Sequence, residues 1–237
     1  MTETPRLNPL GSYRFLGREG RPFSDGAMAD QGYDLVHARF ERPAPLDAGL
    51  AAAVRHVSAA GRPVQSIAGF ELRIPEPFTP QGFAMFNEGY VARLKAVGLE
   101  VDGLIPTART NVAPVAGRVT EPSLHALSYT VPGRRAQAAF VMSGVPEEED
   151  GDYAEMMDSI MRVLSSRMKD IGAMWGDASE IQFYGEEGPR GLLLEKVIEH
   201  AGPAAAGGIH WFASRPPIVG LNFEIDVRSA GMELVMA

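Results

Sequence analysis

Residues 136–144, AQAAFVMSG, read as a β-strand, and what lies on either side of them decides the architecture. Before this stretch the chain reads strand, helix, strand, helix, strand, strand; from it onward the same order begins again. In the first half, GYDLVHARFERP (32–43) alternates Asp34, Val36, Ala38 and Phe40 against Tyr33, Leu35, His37 and Arg39, the period of a strand. Asp47 is placed to cap a helix through AGLAAAVRHVSAAG (48–61), with Leu50, Val54 and Val57 on one face and Gly61 as its stop. VQSIAGFELRI (64–74) returns to period two. PQGFAMFNEGYVARLKAVG (80–98) spaces Phe83, Phe86, Tyr90, Leu94 and Val97 as a helix does. Strands over GLIPTARTNVAPV (103–115) and PSLHALSYTV (122–131) close this half.

In the second half a helix carries Tyr153, Met156, Met157, Ile160, Leu164, Met168 and Ile171 on one face, a stripe best read as core. SEIQFYG (179–185), a helix over RGLLLEKVIEHAG (190–202), GGIHWFAS (207–214) and VGLNFEIDVRSA (219–230) follow. The repeated order predicts an internal duplication with its seam near Pro132, giving domains over 1–131 and 132–237. Each would be an α+β layer, a mixed sheet with two helices on one face.

Composition narrows the function classes. The 237 residues, 45% of them hydrophobic, suffice for one large core or two small ones. There is no cysteine, which removes disulfides, thiolate metal sites and cysteine nucleophiles, and the five histidines show no ligand spacing, so no metal is expected. A net charge of −8 without a basic stripe disfavours nucleic acid, and neither a leader nor a membrane span is read, so the expectation is a cytoplasmic protein. EEED (147–150) reads as a solvated linker, and no phosphate-cradling glycine motif or Gly-x-Ser-x-Gly nucleophile is present.

Several segments resemble the RidA/YjgF family of reactive-imine deaminases. RPFSDG (21–26) is similar to its N-terminal Pro-Tyr-Ser segment, GYDLVHARF to its first long strand, and PTARTNV (106–112) to its Arg-containing signature. AAFVMSGVP (138–146) and the Arg-containing ASRPPIV with FEIDV repeat the pattern in the second half. The resemblance implies two tandem chorismate mutase-like domains, a homo-oligomer with a trimer favoured, no cofactor, and hydrolytic deamination of a small carboxylate-bearing imine or enamine. The family's endoribonuclease label fits poorly with an acidic chain.

It also implies site residues. Arg109 takes the position that grips a substrate carboxylate, which a planar guanidinium matches with two parallel hydrogen bonds; its alternative is a salt-bridged strand residue. Arg215 stands in the corresponding place of the second half. Where active deaminases of the family carry a final-strand Glu, His125 stands in the first half and Glu224 in the second; either could move protons, or His125 could be a sheet residue and Glu224 an outward-facing one. Phe23 replaces the family's Tyr and can pack on a ligand, Ser24 keeps a hydroxyl, and Asn111 shares a strand face with Arg109. Trp211 could line a cleft. Two other readings stay open: a non-catalytic metabolite-binding or regulatory protein, and a different hydrolase or lyase on the same fold.

Overall fold

AQAAFVMSG does contribute a strand, and its neighbours in the sheet come from both ends of the chain. The computed structural model describes residues 4–17, 20–145, 152–186 and 190–236, so EEED lies outside the described residues. In chain order the elements are β1 (Arg6–Asn8), β2 (Tyr13–Gly17), β3 (Ser24–Ala29), β4 (Tyr33–Pro45), α1 (Leu46–Ala59), β5 (Ile67–Arg73), α2 (Pro80–Ala96), β6 (Ala108–Pro114) and β7 (Ser123–Pro132). They continue with β8 (Phe140–Gly144), α3 (Tyr153–Ile171), β9 (Glu180–Tyr184), α4 (Arg190–Ala201), β10 (His210–Phe212), β11 (Ser214–Arg215), β12 (Glu224–Ser229) and β13 (Met232–Met236).

Two sheets form, in the orders β1-β2-β3-β8-β12-β9-β10 and β11-β6-β5-β7-β4-β13. The expected tandem RidA/YjgF-like arrangement is therefore corrected. β8 is sandwiched between β12 and β3, with Gly26 opposite Met142, so a strand from near the N-terminus completes the sheet built by the later elements. Reciprocally, β13 runs parallel to β4, and Ser214–Arg215 pairs with Ala113–Pro114. The periodic segments form elements of the expected type. Strands β1 to β3 were not expected, because they lie in a polar, Gly- and Pro-rich lead that shows no strand alternation.

The helices cover the outer faces. α1 and α2 pack Leu50, Ala53, Val57, Tyr90 and Leu94 onto Phe70, Leu72 and Leu127 of one sheet. The Met stripe of α3, with Leu193 and Val197 of α4, packs onto Phe183, Ile225 and Val227 of the other. Burying each large side chain contributes about 1.5–3 kcal/mol, and this is what seats the helices. α3 begins in a capping box, Asp152 with Glu155, and stops at Gly172, whose φ of 88° an L side chain rarely adopts. Asp47 does not cap α1: Pro45 holds the cap position, and Asp47 accepts a 2.6 Å bond from Arg93 instead.

The inner faces of the sheets meet each other, giving helix, sheet, sheet and helix in four layers. Tyr13, Phe15, Ala27, Leu35, Ala68 and Ala139 form an apolar part of this interface, and the Tyr13 hydroxyl donates across it to Ile67 O at 2.7 Å. The rest is charged. Glu71 of β5 meets Arg73 at 3.2 Å, Arg228 of β12 at 3.4 Å and His37 of β4 at 3.5 Å, while Arg228 also holds Glu233 at 3.0 Å and pairs with Glu180. β12 and the residue before it thus turn Phe223, Ile225 and Val227 toward α3, and Glu224, Asp226 and Arg228 toward the other sheet.

Candidate active site

At one edge of the intersheet layer lies a cavity of about 390 Å³, walled by the N-terminal lead, α2, β6, β8, α3 and the loop before β12. β6 delivers Arg109 and Asn111 from alternate positions on one strand face, and the Thr79-capped helix α2 presents Phe83 and Asn87 to them. Phe23 is held by a parallel bridge to Ile105. Ser143 of β8 and Glu224, at the start of β12, complete the deep wall.

The guanidinium of Arg109 is set up by neutral groups. It lies 3.8 Å from the Phe23 ring centroid, with Phe83 at 5.3 Å and Tyr90 at 5.6 Å, and Nη1 donates to Asn87 Oδ1 at 2.5 Å. In the amide orientation that satisfies both its ends, Asn111 accepts from Arg109 Nε at 3.3 Å and donates to Thr110 O at 3.2 Å. Among the described residues no carboxylate forms a salt bridge with Arg109. Burial pulls its pKa down to about 10, offset by Tyr90 and Glu224, and leaves the cation charged at neutral pH. A half-buried cation cushioned by π-faces and two amides offers its remaining donors to an incoming anion.

Glu224 is 3% exposed, and its Oε2 has no hydrogen-bond partner. Burial, with Asp226 next along the strand face, pushes its pKa well above the usual carboxylate range, against the pull of Arg109 and Arg73. The shift favours its protonated form, which can give a proton to something in the cavity. The alternation read as outward-facing was correct in phase; what lies outward is the second sheet, not solvent.

On the opposite wall Arg167 donates to Ser143 O at 2.8 Å and pairs with Asp25 at 3.1 Å, while Arg21 approaches Asp25 only to 4.0 Å. The Ser143 hydroxyl donates to Arg109 O at 3.0 Å and fixes the strand that carries the cation. Ser24 lines the cavity with its hydroxyl engaged locally, donating to Gly26 O at 2.6 Å and accepting from Gly26 N at 3.1 Å.

The structure thus brings Phe23, Ser24, Arg109, Asn111 and Glu224 together and leaves the other two candidates elsewhere. His125 sits on β7 by Glu71, Arg73 and Arg39; burial, then Arg73, lowers its pKa to about 4, so it is neutral at neutral pH and does not line the cavity. Arg215 faces a neighbouring open hollow and pairs with Glu186 at 3.3 Å. Ile218 and Leu221 line both that hollow and the cavity of Arg109. Trp211 packs 4.4 Å from Phe183 and donates to Gly185 O, away from the site.

Sequence reasoning missed Asn87, Arg167, Asp25 and Ser143. Two of them carried a signal: Asn87 interrupts the apolar face that Phe83, Tyr90 and Leu94 define, and Arg167 interrupts the Met stripe of α3. The described residues contain no cluster of metal-ligating side chains, and no described helix is long and apolar enough to cross a membrane.

A model of the family described as 2-aminomuconate deaminase CnbZ matches residues 6–234. The 2-amino-5-chloromuconate deaminase of Comamonas testosteroni is 35% identical over 245 residues, which cover 95% of this chain and 96% of that one. The chain belongs to the CnbZ family. That membership replaces the RidA/YjgF resemblance, which rested on segments of a few residues around one strand Arg, and the trimer expected from it has no other support. Among solved structures, a chorismatase is 12% identical with a TM-score of 0.47 over 90% of this chain and 78% of that one. A cyanuric acid hydrolase from A. caulinodans is 11% identical with a TM-score of 0.44 over 83% and 66%.

Proposed function

We propose that this protein hydrolytically deaminates a 2-aminomuconate-type substrate, an unsaturated dicarboxylate whose amino-bearing carbon adjoins one carboxylate. The observation that carries the reading is the shared cavity of Arg109 and Glu224, one a half-buried cation without a carboxylate partner among the described residues, the other a buried acid whose protonated form is favoured. Membership in a family of muconate deaminases supplies the reaction class.

Arg109 grips the carboxylate beside the C–N bond and fixes the orientation of that carbon. Glu224 gives its proton to a diene carbon, which converts the enamine into an electrophilic iminium. Water adds to the C=N carbon and returns a proton to Glu224. The C–N bond of the resulting amino alcohol then breaks, so that one water is consumed, one ammonia leaves and a 2-oxo dicarboxylate remains. The second carboxylate reaches the wall where Arg21 and Arg167 flank Asp25.

The test is to supply 2-aminomuconate, follow loss of its diene absorbance and release of ammonia, and compare wild type with Arg109→Ala and Glu224→Gln. Turnover by wild type that both substitutions abolish supports the reading. Saturable binding without ammonia release overturns it in favour of a metabolite-binding role.

A further inference from the structure

Glu224 has a second carboxyl beside it that the scheme above does not use. Asp226 lies two residues along β12 on the same face, which places the two Cβ atoms about 6–7 Å apart, within reach of one another's carboxyl groups. Asp226 is 6% exposed. Its Oδ2 accepts a hydrogen bond from the Thr110 hydroxyl, and its Oδ1, like Oε2 of Glu224, has no hydrogen-bond partner.

The surrounding cations do not pair with either acid. Arg73 salt-bridges Glu71, and Arg228 salt-bridges Glu71, Glu180 and Glu233. Arg109 faces Glu224 but forms no salt bridge with it. Glu71 adds a negative group on the Asp226 side, and burial pushes the pKa of the neighbouring Tyr184 phenol up, so that it stays protonated. Two adjacent buried carboxyls without their own counterion cannot both be ionised at acceptable cost, so at most one negative charge resides on the pair.

We propose that Glu224 and Asp226 act as one unit holding a single proton, with Asp226, pinned as the anion by Thr110, keeping that proton on Glu224 at the cavity wall. Asp226 is then a positioning residue: it touches no substrate and sets the protonation state of the acid that does. Burial and Glu71 raise the pKa of Asp226 to about 7 against the Thr110 hydrogen bond, which agrees with this division. The same arrangement explains why Thr110 faces the intersheet layer beside a strand whose other face serves the cavity.

The inference rests on the proposed acid role of Glu224, and its test separates the two. On the full chain, the infrared band of protonated carboxyl groups is titrated with pH for wild type, Glu224→Gln and Asp226→Asn, alongside the pH profile of kcat/KM with 2-aminomuconate. In Asp226→Asn the Glu224 band and the basic limb both move to lower pH by about one unit, a tenfold loss of activity at pH above the limb. If Asp226→Asn lowers activity evenly while band and limb stay in place, the pairing is overturned and the acid role stands. If Glu224→Gln remains active, both fall. Asp226→Ser, which removes the charge and keeps a hydroxyl partner for Thr110, carries the same comparison should the Asn variant not fold.

Discussion

The Arg109 guanidinium stacks 3.8 Å from the centroid of the Phe23 ring, so a residue of the N-terminal lead fixes a cation that belongs to the sheet of the other layer. Stacking of this kind on a desolvated cation contributes about 2 kcal/mol. Phe23→Ala therefore lowers kcat/KM roughly tenfold or more, chiefly through KM, while Phe23→Tyr retains most activity because the ring face is preserved. Steady-state kinetics of the two variants check this.

Arg109→Lys keeps the charge and loses the fork. Since removing a buried, hydrogen-bonded charge partner costs about 2–5 kcal/mol, Arg109→Ala loses at least thirtyfold in kcat/KM, and Arg109→Lys recovers only a small part of that. Equal activity of the Lys variant and wild type, measured on the same substrate, would show that a point charge suffices.

The two buried acids of β12 make stability depend on pH in a definite direction. Asp226 and Glu224 bind protons more tightly folded than unfolded, so their contribution is fully present below the ordinary carboxylate range and is lost as pH rises, for Asp226 through about 7. Urea titrations at pH 5 and pH 8 are expected to show Asp226→Asn gaining on wild type as pH rises. A constant gap between the two proteins refutes the buried-acid assignment.

Glu71 behaves in the opposite sense. Burial alone would raise its pKa, but His37, Arg73 and Arg228 outweigh burial and hold it at about 2. Its contribution is present above the unfolded value and is lost as pH falls toward 2. Glu71→Gln leaves two guanidinium groups short of a partner between the sheets and destabilises by about 3–5 kcal/mol at neutral pH, a loss that shrinks in acid. Thermal melts across pH 3–7 read both effects.

Gly231 sits between β12 and β13, where the chain leaves one sheet for the other. A Cβ there would lie within 2.0 Å of the Asp34 carboxylate, and the Gly231 amide donates to Leu35 O at 3.0 Å. Gly231→Ala is expected to lower Tm by several degrees and to loosen β13 first, which hydrogen exchange at Leu234 and Val235 would register.

Local periodicity told most about the elements and least about their partners. The spacing of Phe83, Tyr90 and Leu94 describes α2 because helix packing is written every three or four residues. The pairing of Gly26 with Met142 is written nowhere locally, since any two apolar strands satisfy the same alternation. Arg109 and Asn111 could be placed on one face from strand period alone. For Glu224 the alternation gives the face but not what lies beyond it, which is a second sheet and not solvent. His125 shares the alternation of a site residue, yet β7 carries it among Glu71 and Arg73, a separation only the sheet order reveals.

The exchange of strands between the sheets also bears on how the protein comes into being. On a ribosome, Ser24–Ala29 emerges long before Phe140–Gly144, its hydrogen-bonding neighbour, and Tyr33–Pro45 waits for Met232–Met236 to cover its open edge. Neither layer can finish until β12 and β13 have emerged, so early strands spend that time with exposed edges, the condition in which nascent chains aggregate or recruit chaperones. The cavity, which needs residues from the lead and from β12, comes into existence only once strands about 200 residues apart have met.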